Sequence, residues 1–254
     1  MRPRRAPLAG LRAGRLSLPH DLWRYVTRVL RLGPGDRLVV FDAARGLEAA
    51  AELAPSAGDP DSLELVVGEP RPARVVAPRP LVLLQGLAKG DKVDAIVRDA
   101  TELGATLVVL VEAERSVVRL EGRRRDDRVA RLRKIGDEAA RQCGRGDAPE
   151  VSGPMSLAAA LELAPAGGRF ALAPLAAEPL GARLEAYLSS PLTFAIGPEG
   201  GLSDGELELL EHAGFARVSL GPFVLRTETV VAAVLGAVRV LDASRGFEAA
   251  PPGG

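Results

Sequence analysis

Residues 193 to 210 read TFAIGPEGGLSDGELELL, and the reading of this stretch decides the fold class. Thr193 to Ile196 form the apolar end of an inner strand. The run stops in Gly197-Pro198-Glu199-Gly200-Gly201, where glycine permits left-handed backbone and close approach while Pro198 stiffens the turn. Ser203 with Glu206 three residues on is a capping box, so a helix is expected to start near Asp204. Strand, glycine loop and helix N-terminus together make a place where something polar can meet exposed backbone amides.

The same alternation extends on both sides of that stretch. Strand-length apolar runs at 81–85, 106–111, 169–174, 192–196 and 216–221 are separated by helical patterns. Val93, Ile96, Val97, Ala100 and Leu103 share one helical face, and Val129, Leu132, Ile135 and Ala139 share another. Continuously apolar strands between helices predict an α/β fold with a mostly parallel sheet covered on both sides. Upstream, EPRPARVVAPRP at 69–80 places four prolines in a dozen residues and marks a boundary. Before it, RLVVFD, LEAAAEL and SLELVVGE read as strands of a small β-rich unit. The predicted division is a β unit over 1–72, an α/β domain over 73–247 and a disordered tail over 248–254.

No apolar run approaches the ~20 residues that span a bilayer. The basic N-terminus lacks the uninterrupted apolar core of a signal peptide, so a cytoplasmic protein is expected. Cys143 is the only cysteine, and His20 and His212 lack ligand spacing, so no structural metal is expected. The formal net charge is zero, yet its distribution is uneven. Residues 1–37 carry nine arginines against Asp21 and Asp36, and 115–145 carry eleven basic residues against five acids. Residues 38–70 hold one arginine against seven carboxylates. Two basic zones in a neutral chain fit a phosphate-bearing partner, although solvated helix faces rich in arginine would give the same pattern.

Parallel α/β sheets bind ligands at the carboxyl ends of their strands. Three loops fall there: ALAP ending at Pro174, IGPEGGLS at 196–203 and LGPFVLRTET at 220–229. The second has neither the GxxxxGK[ST] lysine nor GxGxxG spacing, and Glu199 would repel a pyrophosphate. It suits a ligand that is neutral or cationic at its centre, or it is a plain strand-to-helix turn. The third loop repeats the Gly-Pro turn and leads into a helix expected from about Glu228, with Thr227 as N-cap. Val231, Val234, Leu235, Val238 and Leu241 form its buried stripe. Arg226 stands where the helix dipole disfavours a cation. It is either paired with Glu228 or Glu199, or aimed at an anion.

The segment from IGPEGG to VVAAVLG (196–236) resembles the C-terminal signature of the RsmE family, SPOUT-class methyltransferases that modify N3 of a uridine in 16S ribosomal RNA. GLAKGDKVDAIVRDATELGATLVVLV (86–111), ERSV (114–117) and EAARQCGR (138–145) resemble further family blocks in the family order. RVLRLGPGDRLVVFD (28–42) is similar to the family's PUA-like RNA-binding barrel. Tyr25 stands where the family usually has histidine, and Cys143 where it usually has serine. The resemblance implies a SPOUT-type α/β domain with a C-terminal trefoil knot, a homodimer, and 16S rRNA in the small ribosomal subunit as partner. It implies S-adenosyl-L-methionine held by Leu172, Pro174, Ile196, Gly197, Pro198, Glu199, Gly200, Gly201, Leu220, Gly221, Leu225 and Thr227. Arg226 is then the expected catalytic residue, stabilising negative charge on the uracil or holding the target phosphate. RNA contacts are expected from Arg2, Arg4, Arg5 and Arg31 in the barrel, and from Lys89, Arg115 and Arg145 in the catalytic domain. Two rival readings stay open: ribose 2′-O-methylation of tRNA or rRNA by the same knotted class, and a non-catalytic RNA-binding or ribosome-assembly protein.

Overall fold

The computed structural model describes residues 4–56 and 62–244, in two compact units. Arg2 and the tail at 248–254 lie outside the described residues. Of the described residues, the first unit gathers those up to Val76 together with Ala140–Ala148; the second takes Ala77–Ala139 and Pro149 to Ser244.

In the first unit the elements are β1 (Arg5–Pro7), β2 (Gly14–Ser17), α1 (His20–Arg24) continued by a π-helical turn at Tyr25–Val29, β3 (Arg37–Asp42), β4 (Leu47–Pro55), β5 (Leu63–Val67) and β6 (Arg71–Pro72). They form a mixed sheet in the order β1-β3-β4-β5-β2, with β6 paired to β4. Only β1 and β3 run parallel within it. Alternation along β4 turns Ala49, Ala51 and Leu53 inward and Ala50 and Glu52 outward. The inward set packs with Ala6, Val26, Val40 and Leu65. Glu48, also on β4, is almost wholly buried and held by Arg5 Nη1 at 3.0 Å and Arg71 Nη2 at 3.2 Å. A buried carboxylate persists only when so compensated. Residues 140–148 group here through local contacts. Gly146 N–H donates to Val75 O at 2.7 Å, and a Cβ on Gly146 would lie 2.1 Å from that of Ala73. The Arg141 guanidinium lies 4.2 Å over the Tyr25 ring.

The second unit contains β7 (Leu81–Gly86), α2 (Lys92–Glu102), β8 (Leu107–Val111), α3 (Gly122–Cys143) up to Ala139, β9 (Glu150–Met155), α4 (Leu157–Leu161), β10 (Gly168–Leu172), α5 (Gly181–Leu184), β11 (Leu192–Ile196), α6 (Asp204–His212), β12 (Ala216–Val218) and α7 (Thr227–Ser244). Its sheet has the order β12-β10-β11-β7-β8-β9, and every pairing among the described residues is parallel. Every residue of β7 and β11 is buried, as a sheet covered on both faces requires. Leu81, Leu83, Phe170 and Phe194 point to one face and meet Val93, Ile96, Val97 and Val231, Val234, Val238 from α2 and α7. Val82, Leu84, Ala171 and Ala195 point to the other, beneath Leu157 and Leu207 of α4 and α6. The predicted α/β class with a parallel sheet is what the chain adopts.

Besides the short β1, β2 and β6 of the first unit, one strand of the second unit escapes the sequence reading. EVSGPM (150–155) contains glycine and proline and looks like a turn, yet it forms β9 at the sheet edge. Proline is tolerated at an edge because its missing N–H faces no partner. Gly153 sits at φ +90°, and a Cβ there would lie 2.4 Å from Leu110 O. The β8–β9 register slips at that place, between Val109 and Val111, so the glycine absorbs a bulge.

The last helix, α7, is fixed at its far end as well as along its stripe. Arg79 Nη2, just before β7, donates to both carboxylate oxygens of Asp242 at 2.8 and 3.1 Å. Both partners are largely buried, so this ion pair, one guanidinium nitrogen shared between the two carboxylate oxygens, is well shielded.

Candidate active site

At the carboxyl ends of β10, β11 and β12 the second unit opens into a cavity of about 700 Å³. The three loops singled out in the sequence line it. Leu172 and Pro174 come from the end of β10, Ile196 through Gly201 from β11 onward, and Leu220, Leu225, Arg226 and Thr227 from the loop before α7. Gly221 is the exception: it stands outside the lining, at φ +107°, where it turns the loop.

The glycine loop closes on itself. A Cβ on Gly197 would meet the Gly201 carbonyl carbon at 2.5 Å and Leu202 N at 2.6 Å. Gly201 N–H donates to Pro198 O at 2.9 Å. The helix that follows is capped as the sequence predicts. Glu206 N–H donates to Ser203 Oγ and Ser203 N–H to Glu206 Oε2. Glu206 also accepts from Glu114 N–H at 2.8 Å, which ties the loop after β8 to α6. From that loop Arg115 Nη1 donates to Gly200 O at 3.2 Å and Leu202 O at 3.1 Å. Arg115, expected to hold RNA, therefore also braces the glycine loop.

A buried polar knot joins three elements. Thr227, 5% exposed, donates its hydroxyl to Gly197 O at 2.8 Å. Gln85 Nε2, at the end of β7, donates to Thr227 Oγ1 at 3.0 Å and to Gly86 O at 2.9 Å. Thr227 is not the N-cap that the sequence suggests. The first helical bond runs from Val230 N–H to Arg226 O, so Arg226 holds the capping position and Thr227 begins the helix. Gln85 and Gly86 were missed from sequence. The available signal was a lone amide in LVLLQG, an otherwise apolar run. Gly86 is required because a Cβ there would lie 2.5 Å from Pro198 Cδ and 2.7 Å from Pro198 N.

The charges around the cavity are arranged unequally. Glu199 Oε1 accepts from Lys92 Nζ at 2.8 Å and Lys89 N–H at 3.1 Å. Partial burial pushes the Glu199 carboxyl up, but bonds from Lys92, its own amide and the Lys89 amide, with the Lys92 charge, outweigh this and hold it below the ordinary glutamate range. Lys92, not singled out in the sequence, thus occupies the carboxylate that could have paired with Arg226. Arg226 is exposed and, among the described residues, its side chain makes neither an ion pair nor a hydrogen bond; Glu228 does not take it up. Neither of the two pairings considered for Arg226 is made among the described residues.

The remaining expected RNA contacts divide. Arg4 and Arg31 are exposed. Arg31 has φ +54°, alone among the described non-glycine residues in that region, as it ends the π-helical turn where glycine is usual. Lys89 is exposed beside Glu199. Arg5 and Arg145 stand differently. Arg5 is committed to Glu48. Arg145, 5% exposed, is bound by Asp147 at 2.7 Å. For these two, a phosphate would have to displace a carboxylate already in place. No group of three or more His, Cys, Asp or Glu residues that could hold a metal occurs among the described residues.

A parallel sheet whose strand ends carry two glycine turns on one cavity, with an unpaired cation at the rim, defines an α/β enzyme built around a ligand without phosphates. Comparisons give the class its content. The RNA methyltransferase domain model matches residues 76–239. Ribosomal RNA small subunit methyltransferase E of Mycobacterium bovis is 32% identical over 221 residues, covering 85% of this chain and 83% of its own. The protein of that name from Bacillus subtilis is also 32% identical, covering 84% and 85%. Among solved structures, ribosomal RNA small subunit methyltransferase E of Neisseria gonorrhoeae, bound to S-adenosyl methionine, superposes with a TM-score of 0.82 at 29% identity, covering 94% of this chain and 98% of that one. The chain belongs to the ribosomal RNA small subunit methyltransferase E family of RNA methyltransferases.

Proposed function

We propose that the protein methylates N3 of a uridine in 16S ribosomal RNA, using S-adenosyl-L-methionine bound in the cavity at the ends of β10–β12. The observation that carries the reading is the unpaired Arg226 on the rim of a cavity whose floor is glycine backbone.

The residues present fit the cofactor. The cavity volume of about 700 Å³ falls in the ~300–1,000 Å³ range of small-molecule sites. Leu172, Ile196, Leu220 and Leu225 offer apolar walls to a purine, and the 196–201 and 220–225 backbones offer edges to read it. No lysine-bearing phosphate loop is present among these residues, and the Glu199 carboxylate suits a cationic centre rather than a phosphate. Bound there, S-adenosylmethionine supplies an electrophilic methyl group to a nucleophilic nitrogen.

The chain's own residues supply position and charge. Losing the N3 proton leaves negative charge on the uracil oxygens, and Arg226 is placed to stabilise it or to hold the adjoining phosphate. Gln85 and Thr227 fix the start of α7 against the glycine loop, which sets where Arg226 stands. Arg4, Arg31, Lys89 and Arg115 are the proposed RNA contacts. The first unit is read as a PUA-like RNA-binding barrel, which its mixed sheet and exposed arginines support. The trefoil knot is supported by the chain's path: β12 lies at the sheet edge beyond β10, yet the next loop returns past β10 and β11 to seat Thr227 against Gly197 and Gln85. A homodimer acting in the cytoplasm completes the proposal; no helix among the described residues is long and apolar enough to cross a membrane.

The test is methyl transfer from labelled S-adenosylmethionine to unmodified small subunits, with mass spectrometry of the nucleosides. 3-Methyluridine is expected. A 2′-O-methylated nucleoside would move the target to ribose, and cofactor binding without transfer to any ribosomal RNA would favour a non-catalytic role.

A further inference from the structure

The rim of the cavity carries an apolar feature that the core does not use. Phe41, Phe170, Phe194 and Phe215 are each 3% exposed or less. Phe223, between the Gly-Pro turn and Arg226, is 77% exposed, and Val224 beside it 78%. Leu175 faces the same cavity from the loop after β10 and is 95% exposed. In a chain with so few aromatics, leaving Phe223 in water forfeits burial that the other four described phenylalanines obtain.

The loop that holds Phe223 is anchored at both ends. Ser219 N–H donates to Glu178 O, and Leu180 N–H to Ser219 O, both at 2.9 Å. At the other end Thr227 is bonded to Gly197. An exposed ring is thus presented from a loop with fixed ends, three residues from an uncommitted guanidinium and on the cavity that receives the reacting groups. An aromatic face beside a cation is the pairing that takes an unstacked base together with its phosphate.

Resting on the methyltransferase reading above, we propose that Phe223 is the platform on which the target pyrimidine stacks once it leaves the RNA stack, with Arg226 engaging the same nucleotide. Enzymes that act on a base extrude it and read it between aromatic or apolar side chains. The ring orients the base plane so that its N3 edge faces the cavity. Phe223 is a specificity-determining contact, and it does not take part in proton or methyl transfer.

The experiment compares wild type, Phe223→Ala and Phe223→Trp with unmodified small subunits and S-adenosylmethionine. It reads KM for the subunit, kcat, cofactor affinity by calorimetry, Tm and sedimentation. Phe223→Ala is expected to lower kcat/KM for RNA by about tenfold, the scale of one lost base–aromatic stack. Cofactor affinity, Tm and oligomeric state stay unchanged, and Phe223→Trp restores activity. Unchanged kcat/KM in Phe223→Ala, with wild type active, overturns the stacking role alone. An equal loss of cofactor affinity assigns the ring to the cofactor, and a changed sedimentation coefficient assigns it to a contact between copies; either outcome also overturns the proposal. A wild type that methylates no RNA removes the underlying reading and this one with it.

Discussion

At the scale of single residues, the site depends on which charges are already taken. Lys92 and the Lys89 amide occupy Glu199, which leaves Arg226 available to an anion. Replacing it, Arg226→Ala, is expected to lower kcat by about 10²–10³-fold, the range for losing one preorganised anion-stabilising donor. Cofactor affinity should move little. Steady-state kinetics alongside calorimetry checks this, and undiminished turnover would remove the role. Glu199 gives a pH signature. Its folded pKa is lowered, so its hold on the Lys89 amide is complete above the ordinary glutamate range and is lost as pH falls through the lowered value. The Lys89 amide resonance should therefore titrate below the ordinary range, and Lys92→Met should move that midpoint upward. A midpoint that Lys92→Met leaves in place would contradict the assignment.

At the scale of elements, the capping box at Ser203 and the apolar faces of α2 and α7 were legible because each is written in local spacing. Their correctness is physical: Ser203 and Glu206 lie three residues apart, the spacing at which each side chain reaches the other's backbone amide. Ser203→Ala is expected to cost about 1 kcal/mol by urea unfolding, the usual cost of a lost cap. What escaped the reading lies between elements. Gln85 appears as an ordinary polar residue at a strand end until β7, the glycine loop and α7 converge on it. Gly86 is silent in sequence because the atom that excludes a side chain there, Pro198 Cδ, is over a hundred residues away. Gly86→Ala is accordingly expected to displace the 197–201 loop and weaken cofactor binding by at least tenfold, while the sheet's far-UV signal persists. Unchanged affinity in a titration would show that the loop yields freely. Strand β9 was hidden for the opposite reason: its glycine and proline obey the rules of an edge, which only the sheet order reveals.

At the scale of the molecule, a neutral total conceals basic zones in both units. Much of that basic charge is internally spent. Arg128 and Arg131 of α3 are paired to Asp94 of α2, and Arg5 and Arg145 are paired in the first unit. Sequence reading counted these charges but had no means of subtracting their partners. The RNA affinity is expected to fall steeply with salt, and removing Arg4, Arg31 or Lys89 should each flatten the log–log slope by roughly 0.7–0.9. Removing Arg5 or Arg145 should leave the slope as it was. The placement of α7 carries a further consequence, for the order of events during synthesis. The helix is clamped to the two ends of β7, by Gln85 at its start and by Arg79 at Asp242, and it follows every strand of both sheets in the chain. A ribosome must therefore release the whole parallel sheet before the segment that finishes the cavity emerges. A nascent chain carries every strand of the sheet before it can gain any affinity for its ligand.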